Sequence, residues 1–466
     1  MSIDLSFFGA AGEVTGSCHR IRVGASEILL DCGQIQGGRD EDVRNAGEFG
    51  FQAERIDALV LSHAHIDHCG RLPLLVRRGF KGRIHCTPAT AMLVHVMLAD
   101  SLKLMLADTE SSNRIRQRKG LKPLPPLFTA EDVGHVLSRL AEQPYGEDFE
   151  PAIGVRCRFS DAGHILGAAI VECWLSEDRQ HHKLVFSGDI GPKGTPIIRD
   201  PSPIEEADLV LLESTYGDRL HRDRLDTVHE IGDLLNSAAR AGGNVLIPAF
   251  AVGRSQELLY WFAQNYERWS MNRFRIYLDS PMASKVVKAY ERNTDLFDAE
   301  ARAHMDNGHN PFRMPNLTLI EDAAESRELN RSEGGAIIIA GSGMCNGGRI
   351  RHHLIHHLWK HETHVLIPGY QAQGTLGREL VDGSKLVRIG QHQIRVNARI
   401  HTVGGLSAHA DQAGLLEWYG HFKGHPQVFL VHGEDRAREV LADKLRTQFG
   451  AKVGLARPGM RHVLSD

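Results

Sequence analysis

The stretch His63-Ala64-His65-Ile66-Asp67-His68 places three imidazoles and one carboxylate within six residues. It follows an apolar segment, 56–61, whose composition predicts a buried strand. On extended backbone His63 and His65 project to the same side, and the last two residues of the run turn toward a predicted helix over 71–78. Imidazole and carboxylate are zinc ligands, with typical distances of about 2.0–2.2 Å. The stretch therefore predicts a strand end that presents ligands to two metal ions. A histidine-rich surface turn is the alternative, since the chain has 27 histidines.

Composition indicates a globular protein of two or three domains. The chain has 466 residues, of which 42% are hydrophobic and 24% charged. No uninterrupted apolar run approaches the roughly 20 residues that a membrane helix needs, so no membrane partner is expected. The seven cysteines are odd in number, scattered and without a C-x-x-C pair, which predicts no disulfide framework and a cytoplasmic location.

The net charge of −4 does not indicate a nucleic-acid partner. One short segment is nevertheless strongly basic, containing Arg114, Arg116, Arg118, Lys119 and Lys122. We interpret this run as a solvated helix face, which is the commoner meaning of such charge runs, and leave a local nucleic-acid contact as the alternative.

Three segments of the chain differ in their predicted pattern of strands and helices. Residues 1–208 combine short strands with glycine turns, and a long helix is predicted over 89–107. Residues 209–395 alternate apolar strands with helical patterns, which predicts βαβ units and a mostly parallel sheet. In residues 396–466 short strands and His-bearing turns return. The economical interpretation is one domain split in sequence by an inserted α/β domain. Strands are predicted at 5–8, 28–30, 58–61, 83–85, 154–158, 183–186, 209–212, 244–247, 275–278, 336–340, 364–367, 400–403 and 427–432.

Four further residues extend the opening cluster. His164 lies in a predicted turn, Asp189 ends a strand, His409 lies in the segment 407–411, and His432 follows an apolar strand. Each alone is more often structural. Together with the four donors of the opening run, however, they give eight candidate ligands, enough for the seven that two metal ions need when water fills the remaining positions.

This set resembles the metallo-β-lactamase superfamily, whose motif is H-x-H-x-D-H followed by later His, Asp and His residues. More narrowly, the chain resembles the β-CASP nucleases: ribonuclease J, the endonuclease subunit of the eukaryotic pre-mRNA 3′-processing complex, and shorter prokaryotic RNA-processing relatives. The resemblance also covers Leu30-Asp31-Cys32-Gly33, Glu213-Ser214-Thr215-Tyr216, Pro248-Ala249-Phe250-Ala251-Val252-Gly253-Arg254 and Gly369-Tyr370-Gln371-Ala372. It implies an αββα metallo-β-lactamase sandwich, formed by 1–208 and 396–466, with an inserted α/β β-CASP domain over 209–395.

The resemblance implies a role for each matched residue. One zinc ion would be held by His63, His65 and His164, and a second by Asp67, His68 and His432, with Asp189 bridging both. Asp31 would orient a ligand histidine through its other ring nitrogen. His409 would be the proton donor with Glu213 as its orienting partner, and Ser407 would contact a phosphate.

The activity implied is that of a zinc-dependent ribonuclease acting on single-stranded RNA. A hydroxide activated by two zinc ions would attack phosphorus, Asp67 would belong to the catalytic set, and His409 would act as general acid. The products would carry 5′-phosphate and 3′-hydroxyl ends, from endonuclease or 5′→3′ exonuclease cleavage. In the family His at the last motif marks RNA-acting members and Val marks DNA-acting ones, so His432 favours RNA. The alternatives are a DNA nuclease, an ester or thioester hydrolase, and a non-catalytic scaffold.

Two glycine-rich loops, 341–349 and 374–378, are candidates for phosphate binding, because backbone amides at a helix start bind anions. Glycines that serve only tight turns are an equal alternative. Arg254, Arg349 and Arg378 are the predicted contacts to backbone phosphates. The chain ends soon after the last motif, so we expect a lone enzyme or a simple homodimer. No particular protein partner is predicted.

Overall fold

The computed structural model describes residues 3–37 and 40–464. The chain divides into two compact units. The first comprises the described parts of Met1–Gly194, Asp200–Leu220 and His409–Asp466, and the second comprises Thr195–Arg199 and His221–Ala408. The second unit is thus inserted into the first.

The strands, in chain order, are β1 Ile3–Gly9, β2 Cys18–Val23, β3 Ser26–Leu30, β4 Ala58–Val60, β5 Arg83–Cys86, β6 Leu140–Glu142, β7 Asp148–Ala152, β8 Val155–Asp161, β9 Ala169–Glu177, β10 Gln180–Phe186, β11 Leu209–Glu213, β12 Val245–Pro248, β13 Arg275–Leu278, β14 Leu317–Leu319, β15 Ala336–Ala340, β16 His364–Ile367, β17 Leu386–Ile389, β18 His392–Arg395, β19 Arg399–Thr402, β20 Gln427–Val431, β21 Val453–Leu455 and β22 Arg461–Leu464. The α-helices are α1 Glu41–Ala46, α2 Ile66–Cys69, α3 Leu72–Arg77, α4 Pro88–Arg118, α5 Ala130–Arg139, α6 Arg224–Ala241, α7 Arg254–Gln264, α8 Pro281–Arg292, α9 Ala299–Asp306, α10 Ala323–Leu329, α11 Ile350–His357, α12 Leu376–Val381, α13 Gln412–Tyr419 and α14 Asp435–Phe449.

The first unit is built on two seven-stranded sheets that share one apolar core. One sheet has the order β22-β1-β2-β3-β4-β5-β6 and the other β21-β20-β11-β10-β9-β8-β7. Strand β8 shows how the sequence produces this arrangement, because Val155, Cys157 and Phe159 face the core while Arg156 and Arg158 alternate with them on the outer side. Core side chains from both sheets form a single cluster. The sandwich with helices outside is the predicted αββα fold.

The second unit contains a six-stranded sheet of order β14-β13-β15-β12-β16-β19, and every neighbouring pair in it is parallel. Its central strands are apolar without alternation: all five residues of β15 are buried, because a parallel sheet is covered by helices on both faces. The mostly parallel inserted α/β domain expected from the sequence is therefore present.

The boundaries of this insertion differ from the prediction. Strand β11 pairs with β10 and β20 in the first unit, so the insertion begins at residue 221 and not at 209. Strand β19 pairs with β16, so the second unit extends to 408 and not 395. A buried apolar strand is alike in either sheet, and only its pairing partner decides to which unit it belongs.

Helix α4 is long and apolar enough, by length and composition alone, to cross a membrane. Core helices of globular proteins share these properties, and Leu93, Val94 and Leu98 in its first turns are buried in this structure. The expectation of no membrane partner stays a prediction. All seven cysteines are free and buried, which agrees with the expected lack of a disulfide framework.

Candidate metal centre

The predicted ligands follow the carboxyl ends of strands in both sheets of the first unit. His63 and His65 follow β4, His164 follows β8, Asp189 follows β10, and His432 follows β20. Asp67 and His68 lie in the one-turn helix α2, which sequence reasoning missed. Because these strand ends meet at one edge of the sandwich, residues more than 360 positions apart in sequence come together, as the contact of His68 with His432 shows.

A close backbone approach holds α2 in place. The amides of Cys32 and Gln34, just after β3, donate to the carbonyls of His68 and Ile66 at 2.9 Å each. A Cβ atom at the intervening Gly33 would lie 1.5 Å from the Asp67 carbonyl oxygen. Only glycine therefore allows this approach, and with it the position of the Asp67 and His68 side chains.

The first ligand group contains His63, His65, His164 and Asp189. Nδ1 of His65 lies 3.1 Å from Nε2 of His63 and 3.0 Å from Nε2 of His164. Oδ2 of Asp189 lies 3.4 Å from the His63 nitrogen and 3.6 Å from the His164 nitrogen. Three ring nitrogens and one carboxylate oxygen thus converge on one point.

The second ligand group contains Asp67, His68 and His432. Nε2 of His432 lies 3.2 Å from Nε2 of His68 and 3.4 Å from Oδ2 of Asp67. Asp189 contacts this group too, with Oδ1 3.6 Å from Nε2 of His432 and Oδ2 3.3 Å from Nε2 of His68. Asp189 therefore lies between the two groups, as a bridging carboxylate would.

The donor atoms fit divalent metal ions. Four ligands about 2.0–2.1 Å from a tetrahedral zinc ion lie about 3.3 Å apart, close to the spacings found here. No hydrogen-bond donor among the residues that the structure describes reaches the buried Oδ1 atom of Asp189. Burying a carboxylate oxygen that accepts no hydrogen bond is unfavourable, and so is burying imidazole nitrogens that face each other without a proton between them. A cation placed between these atoms would remove the penalty.

The protonation states of the first ligand group also suit metal binding. Burial lowers the pKa of His65 to about 4 and lowers that of His63 as well, so both rings are neutral at physiological pH. Burial raises the pKa of Asp189, but the surrounding histidines outweigh this effect and hold that pKa well below its usual range. Neutral imidazoles and ionised carboxylates are the forms that bind metal.

Asp31 is held at the position expected for a residue that orients a ligand. Its Oδ2 accepts a 2.6 Å hydrogen bond from Nδ1 of His68, which leaves Nε2 of that ring directed at the second ligand group. Ser62 donates to Asp31 through its backbone amide at 2.8 Å and its hydroxyl at 2.9 Å, and Ser17 donates at 3.2 Å. This network fixes the ring orientation of His68.

Thr215 orients His432, and sequence reasoning gave it no role. Its Oγ1 lies 3.0 Å from Nδ1 of His432 and donates to the carbonyl oxygen of the same residue at 3.2 Å. Because the hydroxyl proton goes to the carbonyl, Oγ1 accepts the proton on Nδ1, and Nε2 keeps its lone pair for a metal. The only available signal was the position of Thr215 two residues after Glu213.

His409 lies at the rim of the cluster. Its side chain is 20% exposed, and Nε2 lies 3.9 Å from Oδ2 of Asp189. Nδ1 donates to Oε1 of Glu213 at 3.0 Å. Burial lowers the pKa of His409, but the carboxylates of Glu213 and Asp189 outweigh it and raise that pKa to about 9. The ring is therefore doubly protonated at neutral pH, with a proton on Nε2 available to a substrate.

The four predicted phosphate contacts lie in the second unit. Arg349 donates to the buried carboxylate of Asp279 at 2.7 Å and to the carbonyl oxygens of residues 320 and 321, which gives it a structural role that the sequence did not predict. Arg254 pairs with Glu257 at 2.9 Å and Arg378 with Asp382 at 2.7 Å. The carbonyl of Ser407 accepts from Arg224. Phosphate binding by these four residues stays a prediction.

Three family models match the chain. The metallo-beta-lactamase superfamily model covers residues 11–228, the Beta-Casp domain model 255–380, and the model of a Zn-dependent metallo-hydrolase RNA specificity domain 393–456. The fold and the ligand groups define a metal-dependent hydrolase.

Similar proteins agree with this class. Ribonuclease TTHA0252 from Thermus thermophilus is 42% identical over 97% of this chain and 98% of its own length. The transcription termination factor FttA from Methanocaldococcus jannaschii is 29% identical over 96% of this chain and 69% of its own length. The chain belongs to the metallo-β-lactamase superfamily, in the β-CASP family. A protein of unknown function from Enterococcus faecalis V583 shares the fold, with a TM-score of 0.56 and 12% identity over the whole of both chains.

Proposed function

We propose that this protein is a zinc-dependent ribonuclease that hydrolyses single-stranded RNA to products with 5′-phosphate and 3′-hydroxyl ends. The observation that carries the proposal is the pair of ligand groups that Asp189 contacts, with the protonated ring of His409 at their open rim. The ribonuclease that is 42% identical over nearly the full length of both chains supports RNA as substrate.

Two zinc ions would be held by the two ligand groups. Bound there, they would supply Lewis acidity toward phosphoryl oxygens and lower the pKa of bound water. All seven side chains belong to the first unit, and Asp189, a member of the first group, also contacts His68 and His432 of the second. Their imidazole and carboxylate donors favour zinc over calcium or magnesium, which prefer oxygen ligands.

His409 would protonate the departing 3′-oxygen from Nε2. Glu213 accepts the proton on Nδ1 and is itself held by the backbone amides of Ile190 at 3.0 Å and Thr215 at 3.1 Å. The ring plane is therefore fixed, and the remaining N–H is directed at the cluster. General acid catalysis of this kind contributes about 10²–10⁴-fold to the rate.

Asp67 would orient the attacking water. Burial raises the pKa of Asp67, but the neighbouring imidazoles of His432 and His68 outweigh that effect and keep the carboxyl group ionised. Its side chain is partly exposed at the rim, so one oxygen can accept a hydrogen bond from water. Asp67 would thus act on the attacking water, and His409 on the leaving oxygen.

A DNA nuclease and a small-ester or thioester hydrolase are the alternatives. The large second unit and the proton donor held by Glu213 are not needed for a small acyl substrate, whose leaving group departs with less help. RNA and DNA share the same phosphodiester chemistry, so only a direct comparison of substrates separates them.

The test is incubation of the pure protein with 5′-labelled single-stranded RNA and with matching DNA, with and without a chelator. We expect RNA cleavage that chelation abolishes and zinc restores. His409→Ala should lower the rate by about 10²–10⁴-fold with zinc retained, whereas the exposed His181→Ala should leave it unchanged. The sizes of the first labelled products distinguish endonuclease from 5′→3′ exonuclease cleavage. Preference for DNA or for a thioester would refute the proposal.

A further inference from the structure

The C-terminal part of α4 and the chain that follows it form a hairpin, residues 113–127, which we name the basic hairpin. Asn113 donates to the carbonyl of Leu124 and accepts from its amide, both at 2.8 Å. Nε of Arg116 donates to the carbonyl of Lys122 at 2.8 Å. Arg77 in α3 donates to the carbonyls of residues 126 and 127 at 3.0 Å each. The returning chain is therefore held against the helix and anchored at its base.

The basic hairpin concentrates positive charge. Residues 113–122 contain five basic side chains and no acidic one, in a chain whose net charge is −4. Arg114 forms a 2.5 Å ion pair with Glu110, but both side chains are more than 60% exposed, and such surface pairs are weak. Four of the five basic residues are exposed and Arg116 is half-buried. The segment is therefore a local positive patch that overall composition conceals.

Helix α4 connects this patch to the metal centre. The hydroxyls of Thr87 and Thr90, at the start of the helix, donate to the carbonyl of Gly167 at 2.7 and 2.8 Å, in the loop that also carries His164. At about 1.5 Å per residue, the helix rises about 40 Å between Thr90 and Arg116. The basic hairpin therefore lies far from the metal centre, at the opposite end of a helix whose first turn contacts the loop that carries His164.

The exposed side chains of the basic hairpin favour a polyanion as its partner. A second copy docked hairpin to hairpin would bring two positive patches together. A membrane surface requires an apolar face separated from a basic one, but exposed Ile115 shares its helix face with Arg118 and Lys119, three and four residues later. Phosphodiester backbone requires only accessible cations, which Lys and Arg on a solvent-exposed hairpin provide.

We propose that the basic hairpin binds the backbone of RNA outside the catalytic pocket. This inference rests on the proposed function, because RNA is the polyanion that the enzyme would process. Contacts here add affinity, independent of sequence, to substrates long enough to reach both the hairpin and the metal centre. Short substrates bind without them.

The test uses Arg114→Gln, Arg118→Gln and Lys119→Gln combined, which leaves the bonds of Asn113 and Arg116 intact. The matched control combines Lys444→Gln, Lys452→Gln and Arg457→Gln, three exposed basic residues of the same unit. Binding is measured in the His409→Ala background, so that RNA stays intact, with RNAs of about forty and about five nucleotides over a series of salt concentrations.

The hairpin variant should bind the long RNA at least about tenfold more weakly at low salt, and its slope of log affinity against log salt should fall by about 2. Binding of the short RNA and all results of the control variant should stay unchanged. Equal weakening by both variants, equal weakening for both RNA lengths, or transfer of the effect to anionic vesicles would overturn the inference. If the enzyme with His409 restored cleaves no RNA, the proposed function fails; if it cleaves RNA and the hairpin variant binds normally, only this inference fails.

Discussion

Nδ1 of His409 lies 3.0 Å from Oε1 of Glu213, and Glu213 is fully buried. The carboxylate ends strand β11 and accepts hydrogen bonds from two backbone amides, so it cannot turn away from the ring. A rigid acceptor behind the histidine fixes which nitrogen faces the cluster and favours the protonated ring.

This relationship predicts a pH dependence. A general acid must be protonated, so activity should be present below the pKa of His409, about 9, and be lost as pH rises through it. Glu213→Gln removes a negative charge that raises this pKa, and the alkaline limb of kcat should therefore move to lower pH. The measurement is a pH–rate profile of both proteins at saturating RNA. An unchanged alkaline limb in the variant would argue against the role of Glu213.

Removing the Thr215 hydroxyl should weaken metal binding. Thr215→Val removes the acceptor that holds the proton on Nδ1 of His432, and residues that orient metal ligands typically contribute about 10–100-fold in affinity. Thr215→Ser retains the hydroxyl and should retain most of the affinity. Competition with a chromophoric zinc chelator measures this directly. Equal affinities of the Val and Ser variants would show that the hydroxyl has no orienting role.

Asp189→Asn should lower the metal content at both ligand groups. The wild-type protein should hold about two zinc ions per chain, because seven protein ligands suit two four-coordinate sites with water completing them. An amide is a poorer ligand than a carboxylate and cannot neutralise two cations. Elemental analysis after dialysis checks the stoichiometry, with the exposed Asp178→Asn as control. Two zinc ions retained by the Asp189 variant would contradict the bridging role.

Metal removal should destabilise the first unit. The ligands converge only in the folded state, so free zinc at 100 times its Kd should add about 2.7 kcal/mol to the free energy of unfolding. Thermal melting should therefore occur at lower temperature after chelation and recover when zinc is added back. His409→Ala, which removes no proposed ligand, should show the same difference as the wild type. A melting temperature insensitive to chelation would exclude a tight site.

Several strands could be predicted from the sequence because a short run of apolar residues is enough to indicate a buried strand. The strands at 275–278, 336–340 and 364–367 were predicted with the bounds that the structure has. The predicted boundaries of other elements were wrong where the local sequence has no hydrophobic periodicity. Helix α4 continues to Arg118, beyond the predicted end at 107, although few side chains in its second half are buried. A helix that projects from the core has no apolar periodicity there to reveal it.

The sequence by itself determined the ligand types and their order, since imidazoles and carboxylates at strand ends already define the metal chemistry. It also determined that an α/β domain interrupts a β-rich one, because buried parallel strands lack the alternation of half-buried ones. Only the tertiary structure decided that Thr215 and Ser62 orient their neighbours, and that 209–213 belongs to the first unit. Those relationships depend on which strands are adjacent in the sheets. Strand pairing brings together residues that are far apart in the chain, and the sequence between them does not show that they will be in contact.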